Sequence, residues 1–138
     1  MRYTFRNARP EDLEELLKNS TENGKVDEEV IRDSIEVKVM LCDDEPIMMI
    51  GRIEYPNGEL VMTTGVWAIV SKDIGKHTKQ AVRFCKDLFF DRVGFRFLVL
   101  IDENEPKFVR FVEFFGFKRT NFVEEKLGTL YHLYIKDT

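Results

Sequence analysis

Residues 71–78 carry Ser71, Lys72, Gly75, Lys76 and His77 between an apolar run at 66–70 and an amphipathic segment at 79–93. A strand that passes through so short a loop into a helix leaves backbone N–H groups unpaired at the helix start, where the helix dipole also favours negative charge. The chemistry these residues suit is anion binding, with a phosphate as the expected ligand. Lys76, Lys79 and Arg83 fall at spacings of three and four, so they share nearly one helical face and add positive charge there; an ordinary solvated face has the same spacing. Other chemistries lack their spacing. His132 is remote from His77, Ser71 and Cys85 have no partners at triad or dyad positions, and no Cys/His set has metal-ligand spacing. Hydrolase and metal chemistry are therefore discounted, and Cys42 and Cys85 read as small buried hydrophobes.

Composition bounds the scaffold that must hold this loop. At 138 residues the chain suits one domain, expected over 1–138, and is large enough to bury a core. Its twelve Phe fall mostly on helical or alternating spacing and imply an aromatic interior. A net charge of -4 disfavours a general nucleic-acid surface. No signal peptide or long apolar span is evident, so a membrane role is not expected and a reduced cytoplasm fits the cysteine usage.

Periodicity supplies the elements in order. Tyr3 and Phe5 alternate in an opening strand over 2–8. Pro10 sets up a helix with acidic Glu11, Asp12 and Glu14 at its positive end and Leu13, Leu16 and Leu17 as its apolar stripe, ending at Asn23-Gly24. A second helix from Asp27 turns Val30, Ile31 and Ile35 inward. The period then changes to two at Val37, Val39 and Leu41. A turn at 43–45, a strand over 47–55, the hairpin signal Asn57-Gly58 and a strand over 59–70 follow. After the loop come a helix over 79–93, a strand over Phe95–Ile101, a helix ending at Gly116-Phe117, and strands at 120–124 and 130–135 joined by a charged turn. A helical crossover demands that the strand at 66–70 and the strand at Phe95–Ile101 run parallel.

This order, with a phosphate-type loop after the fourth strand and the ending Phe114-Phe115-Gly116-Phe117, resembles the GCN5-related N-acetyltransferase superfamily over nearly the whole chain. The resemblance implies an α+β fold: a mixed, mostly antiparallel sheet of six or seven strands with about four helices. It implies that acetyl-CoA is the cosubstrate, its pantetheine arm pairing with the exposed backbone of the strand at 66–70 and its pyrophosphate held by the loop. Trp67, Ile69, Val70, Ser71, Lys72, Gly75, Lys76, His77 and Asn104 are the corresponding cofactor-binding positions. The family's loop pattern, Arg or Gln, two residues, Gly, one residue, then Gly or Ala, is met as Lys72, Gly75 and His77, and a Cβ at the second glycine position would crowd the pyrophosphate.

The resemblance also implies a tyrosine general acid on the helix after Asn104, protonating the departing thiolate. Counted back from Gly116-Phe117 that position holds Val112, or Phe111 with a one-residue shift, and neither has a proton to give. Phe108, Phe111, Val112 and Phe115 form an i, i+3, i+4, i+7 stripe that reads as core. Glu54 and Glu59, nearest the middle of the sheet, are the candidate bases for the amine, and Tyr134 is a candidate proton source; carboxylates near a turn and aromatics alternating in a strand more commonly serve solvation and packing. The function expected is an acyl-CoA-binding N-acyltransferase acting on an amine acceptor by direct attack. The alternative is a catalytically inactive binding or structural module, similar to small acetyltransferase-like proteins encoded by phages, some of them virion components. A homodimer is compatible with either.

Overall fold

The computed structural model describes residues 1–20, 28–55, 62–126 and 128–138, with the backbone alone at Met62. The period-two runs become seven strands: β1 (Tyr3–Asn7), β2 (Glu36–Cys42), β3 (Glu45–Tyr55), β4 (Met62–Val70), β5 (Phe95–Ile101), β6 (Lys118–Lys126) and β7 (Thr129–Asp137). Among the described residues the α-helices are α1 (Pro10–Lys18), α2 (Glu28–Asp33), α3 (Thr78–Cys85) and α4 (Pro106–Phe114). The sheet order is β1-β2-β3-β4-β5-β7-β6. As expected, β4 and β5 are parallel, and their register runs from Met62–Phe95 to Gly65–Leu98. Strand β4 then continues five residues beyond the end of that register, to Val70. The pairings of β1 with β2, β2 with β3, β5 with β7 and β6 with β7 are antiparallel.

The chain forms two compact units, Met1–Ile53 with Trp67–Asp91 and Glu54–Val66 with Arg92–Thr138. In the first, Leu16, Met49 and Ile69 form a core against which Leu13, Leu17, Ile31, Val37 and Trp67 pack. The apolar stripe of α1 is thus spent on the sheet, as its spacing requires. Asp12, in the first turn of the same helix, is buried, and it accepts hydrogen bonds from Arg6 Nη1 at 2.6 Å, Arg6 Nη2 at 2.8 Å and the Arg9 backbone N–H at 2.7 Å. The Trp67 indole donates to Ser34 Oγ at 2.7 Å, and Ser34 Oγ donates to the Val30 carbonyl at 2.8 Å, tying β4 to the end of α2. Gly51 leaves room for this indole: a Cβ there would overlap Trp67 Cε2 and Cζ2. Gly51→Ala is therefore expected to destabilise by about 1–3 kcal/mol through overpacking, read by urea denaturation. Combining it with Trp67→Phe should give a loss smaller than the sum of the two single changes, because both act on one space.

In the second unit Phe97 is fully buried, and Ile101, Val112, Phe115, Phe117 and Tyr134 are buried as well. The stripe on α4 is core at Val112 and Phe115 and half-buried at Phe108 and Phe111. The helix ends at Gly116, whose φ of +88° suits glycine; Gly116 N–H donates to the Glu113 carbonyl at 2.9 Å and Phe117 N–H to the Val112 carbonyl at 3.1 Å.

Three elements end elsewhere than the periodicity suggests. Helix α1 stops at Lys18 because Ser20 bridges to Ser71 and the Asn19 carbonyl accepts the Lys72 N–H at 2.8 Å; Asn23-Gly24 lies outside the described residues. Ile35 is 52% exposed, since α2 ends at Asp33 and the Ile35 N–H donates to Arg52 in the sheet instead of continuing the helical stripe. The segment after the loop is helical only to Phe90: α3 passes into a wider π turn over Lys86–Phe90, closed by the Asp91 N–H on the Lys86 carbonyl, and Val93 is left 85% exposed. The charged hairpin ends are longer than expected, and β2–β3 turns through Asp43 and Asp44, both at positive φ, which aspartate tolerates better than most side chains. The hairpin signal at Asn57-Gly58 lies outside the described residues.

Candidate functional site

The loop between β4 and α3 belongs to the first unit, and it is tied down from several directions. Ser71 is buried; its N–H donates to the Ile47 carbonyl at 2.8 Å, its carbonyl accepts the Ile74 N–H at 3.0 Å, and its Oγ accepts the Asp73 N–H at 3.2 Å. The Lys72 N–H goes to Asn19 and the Lys76 N–H to Asp73. A 3-10 turn over Ile74–His77 stands between strand and helix. Five of the loop's backbone donors are thus already engaged, a physical difference from a strand that feeds straight into an α-helix with its first N–H groups unspent.

Side chains sort into two sets. Ile69, Val70 and Ser71 are buried, and Trp67 is half-buried against the core, so their contribution to a ligand is through backbone. Lys72, Lys76, Lys79 and Arg83 are exposed; Lys76 Nζ lies 3.8 Å from Asp73 Oδ1, a weak surface pair. Gly75 is not at positive φ, and a Cβ added there would meet nothing within 4 Å. Neither backbone conformation nor packing calls for a glycine at 75, and the open space beside it suits close approach of an anionic group. His77, at the second glycine position, is turned inward and is only 7% exposed. Its Nδ1 is hydrogen-bonded to the Tyr3 hydroxyl at 2.6 Å, and the two rings meet edge to face at 5.6 Å. Burial, and Cys42 beside it, push the Tyr3 phenol above its ordinary pKa.

The remaining expected positions fall elsewhere. Asn104 is exposed in the turn before α4, its N–H bonded to Asp102 Oδ1 at 3.0 Å. Glu54 is exposed near the end of β3, and Glu59 lies outside the described residues. Tyr134 is buried, with its hydroxyl donating to Glu103 Oε2 at 2.5 Å. Glu103 is the centre of a cluster that periodicity did not single out: Arg119 donates to it through Nε at 2.7 Å and Nη2 at 3.1 Å, and His132 Nδ1 lies 3.1 Å from Oε1. The Arg119 and Tyr134 hydrogen bonds hold the Glu103 carboxyl down at about 2, while burial and Glu103 push Tyr134 up to about 12. At neutral pH the carboxylate is ionised and the phenol keeps its proton, so this network ties the turn before α4 to β6 and β7 and is poorly matched to proton transfer near pH 7. Only the strand register reveals it: Arg119 pairs with Tyr134 and Val123 with His132 across β6 and β7.

Among the described residues no helix is long and apolar enough to cross a membrane, and no group of three or more His, Cys, Asp or Glu could hold a metal ion. Both cysteines are free and buried, and burial raises the Cys85 thiol to about 12.

The chain has the fold of the GCN5-related N-acetyltransferases. Its similarity to solved structures extends over essentially its full length: to Arabidopsis thaliana Naa50 in complex with a bisubstrate analogue, CoA-Ac-MVNAL (TM-score 0.70, 14% identity, 100% of both chains); to the aminoglycoside acetyltransferase AAC(6')-Ib in complex with coenzyme A (0.66, 13%, 99% of this chain and 95% of that one); and to an aminoglycoside N(6')acetyltransferase from Legionella pneumophila (0.67, 10%, 98% and 91%). No family model matches the sequence, and no curated protein matches it by sequence. At such identities the likeness is one of fold.

Proposed function

We propose that the protein binds acetyl-CoA along the end of β4 and the loop that follows, and transfers the acetyl group to an amine by direct attack. The observation that carries this reading is the run of β4 past its register with β5 straight into the Gly75 loop. Bound acetyl-CoA supplies an activated acyl thioester; the chain supplies position. Backbone groups over 66–70 hold the pantetheine arm, and an N–H there polarises the thioester carbonyl. Gly75 lets the backbone approach the pyrophosphate, Lys72 and Lys76 add charge beside it, and Glu54 or Glu59 accepts the amine's proton, directly or through water. Val112 offers no proton to the leaving sulfur, so positioning carries most of the rate.

The test is thermal. Acetyl-CoA at 100 times its dissociation constant should stabilise the folded protein by about 2.7 kcal/mol, seen as a raised melting temperature. The double change Lys72→Glu with Lys76→Glu should weaken that shift, more at low than at high salt, because both ammonium groups are exposed to screening. Calorimetry with folded protein and millimolar acetyl-CoA or CoA that gives no heat of binding would overturn the reading. It would favour a binding or structural module of the same fold. The specific features behind that second reading are the engaged N–H groups of Lys72, Asp73, Ile74 and Lys76 and the buried valine at the position of the acid.

A further inference from the structure

We propose that β1 acts as a strap on the phosphate loop, with Tyr3 as its positioning residue acting through His77. The inference rests on the acetyl-CoA reading for its link to a ligand; the mechanical part stands on geometry within one unit. Tyr3 and Phe5 are two residues apart on β1 and therefore on one face of it. The Tyr3 hydroxyl bonds His77 Nδ1 at 2.6 Å, and the Phe5 ring stacks on Phe84 at 5.3 Å, with the planes 27° apart. One strand face thus grips the loop-and-helix segment at two points seven residues apart, at the end of the loop and on the buried side of α3.

The consequence concerns the side chain at 77. An imidazole there that swung outward would occupy space beside the first turn of α3, where the loop's cationic groups lie in sequence. The hydrogen bond and the edge-to-face contact hold the ring inside instead, so the bulk of His77 is removed from the ligand face without a glycine. Strand β1 ends the sheet on its side, with β2 as its neighbour in the strand order, and Tyr3 pairs with Cys42 there. Docking of the amino-terminal strand and order in the loop are therefore coupled, and by linkage a ligand held by the loop must in turn favour docking of β1.

Hydrogen exchange followed by mass spectrometry tests the strap with or without ligand. In the unliganded protein, Tyr3→Phe should speed exchange of the amides at 72–78 by about 3- to 10-fold, the effect of losing one hydrogen bond, while β3 amides around Met48 and Ile50 keep their protection. His77→Asn, whose Oδ1 can accept the same bond, should retain most of the protection, and His77→Leu should not. In acetyl-CoA titrations, Tyr3→Phe should weaken affinity by a similar factor, and acetyl-CoA should slow exchange across 3–7 in the wild type. Unchanged loop exchange in Tyr3→Phe, or equal behaviour of the two His77 variants, would overturn the strap. Wild-type protein that does not bind acetyl-CoA would overturn the function reading alone, since the exchange of the unliganded loop still decides the strap.

Discussion

On the proposed acetyl-transfer reading, Val112→Tyr is expected to raise turnover by about 100-fold or more, within the 100- to 10,000-fold range that general acid catalysis typically supplies. Residue 112 stands four positions ahead of Gly116 on α4, the position at which the resemblance read from the sequence implies a tyrosine acid. Tyr134 is a poor substitute in the wild type, because its proton is committed to Glu103 and its pKa stands at about 12. Val112 is buried, so the larger ring should cost about 1–3 kcal/mol of stability, visible as a lower melting temperature. Phe111→Tyr is the control. Phe111 is half-buried, with its ring edge to face with Phe115 at 5.0 Å, and a phenol there changes little volume; turnover should stay at the wild-type level. Release of free thiol from acetyl-CoA across a panel of amines gives the rates. If wild-type turnover is already brisk and disappears in Tyr134→Phe or Glu54→Gln, the proton route runs through those groups and this assignment fails.

Asp12→Ala should cost about 2–3 kcal/mol, toward the low end for breaking a buried ion pair because Arg6 keeps contact with water that screens it. Three donors converge on this carboxylate, two from Arg6 and one from the backbone of Arg9 at the start of α1, and its removal leaves all three to find water. Asp12→Asn should lose less, since an amide oxygen still caps Arg9. The change also carries a pH signature. The Arg6 hydrogen bonds, then the Arg9 bond, lower the Asp12 pKa in the folded state against the opposing effect of burial, so the folded protein binds this proton less readily than the unfolded chain. The resulting stability is complete above the unfolded carboxylate's pKa and disappears as pH falls through the lower, folded value. Urea denaturation of wild type and Asp12→Ala should accordingly converge as the pH is taken down through the acid range, and a constant gap would show that the interaction is not ionic.

Much of the scaffold is legible in the sequence because it depends on local rules. The bounds of β5 follow from its alternation and flanking turns, the helical crossover from the amphipathic run after Gly75, and the end of α4 from the glycine at 116. The ends of α1 and of the segment after the loop were not legible, since Ser20, Asn19 and Asp91 take partners that no local propensity specifies. Ile35 shows the same limit: its apolar character predicts burial, but α2 ends two residues earlier, at Asp33, and the Ile35 N–H bonds Arg52 in the sheet. For the site, the residue types at Lys72, Gly75 and Lys76 were legible but not their surroundings, exposed at the lysines and open beside Gly75, and the Glu103 cluster needed the register of β6 against β7.

By itself, then, the sequence determined the order of strands and helices, the parallel pair, the residue types of the loop and the want of a proton donor at 112, because each is a matter of period, spacing or side-chain type. Tertiary structure alone decided which way His77 points, which backbone donors of the loop are already engaged, and that Tyr134 and Arg119 converge on Glu103. Those outcomes depend on groups as far apart in the chain as residues 3 and 77, whose meeting is set by strand order and register, and neither is encoded within any window of neighbouring residues.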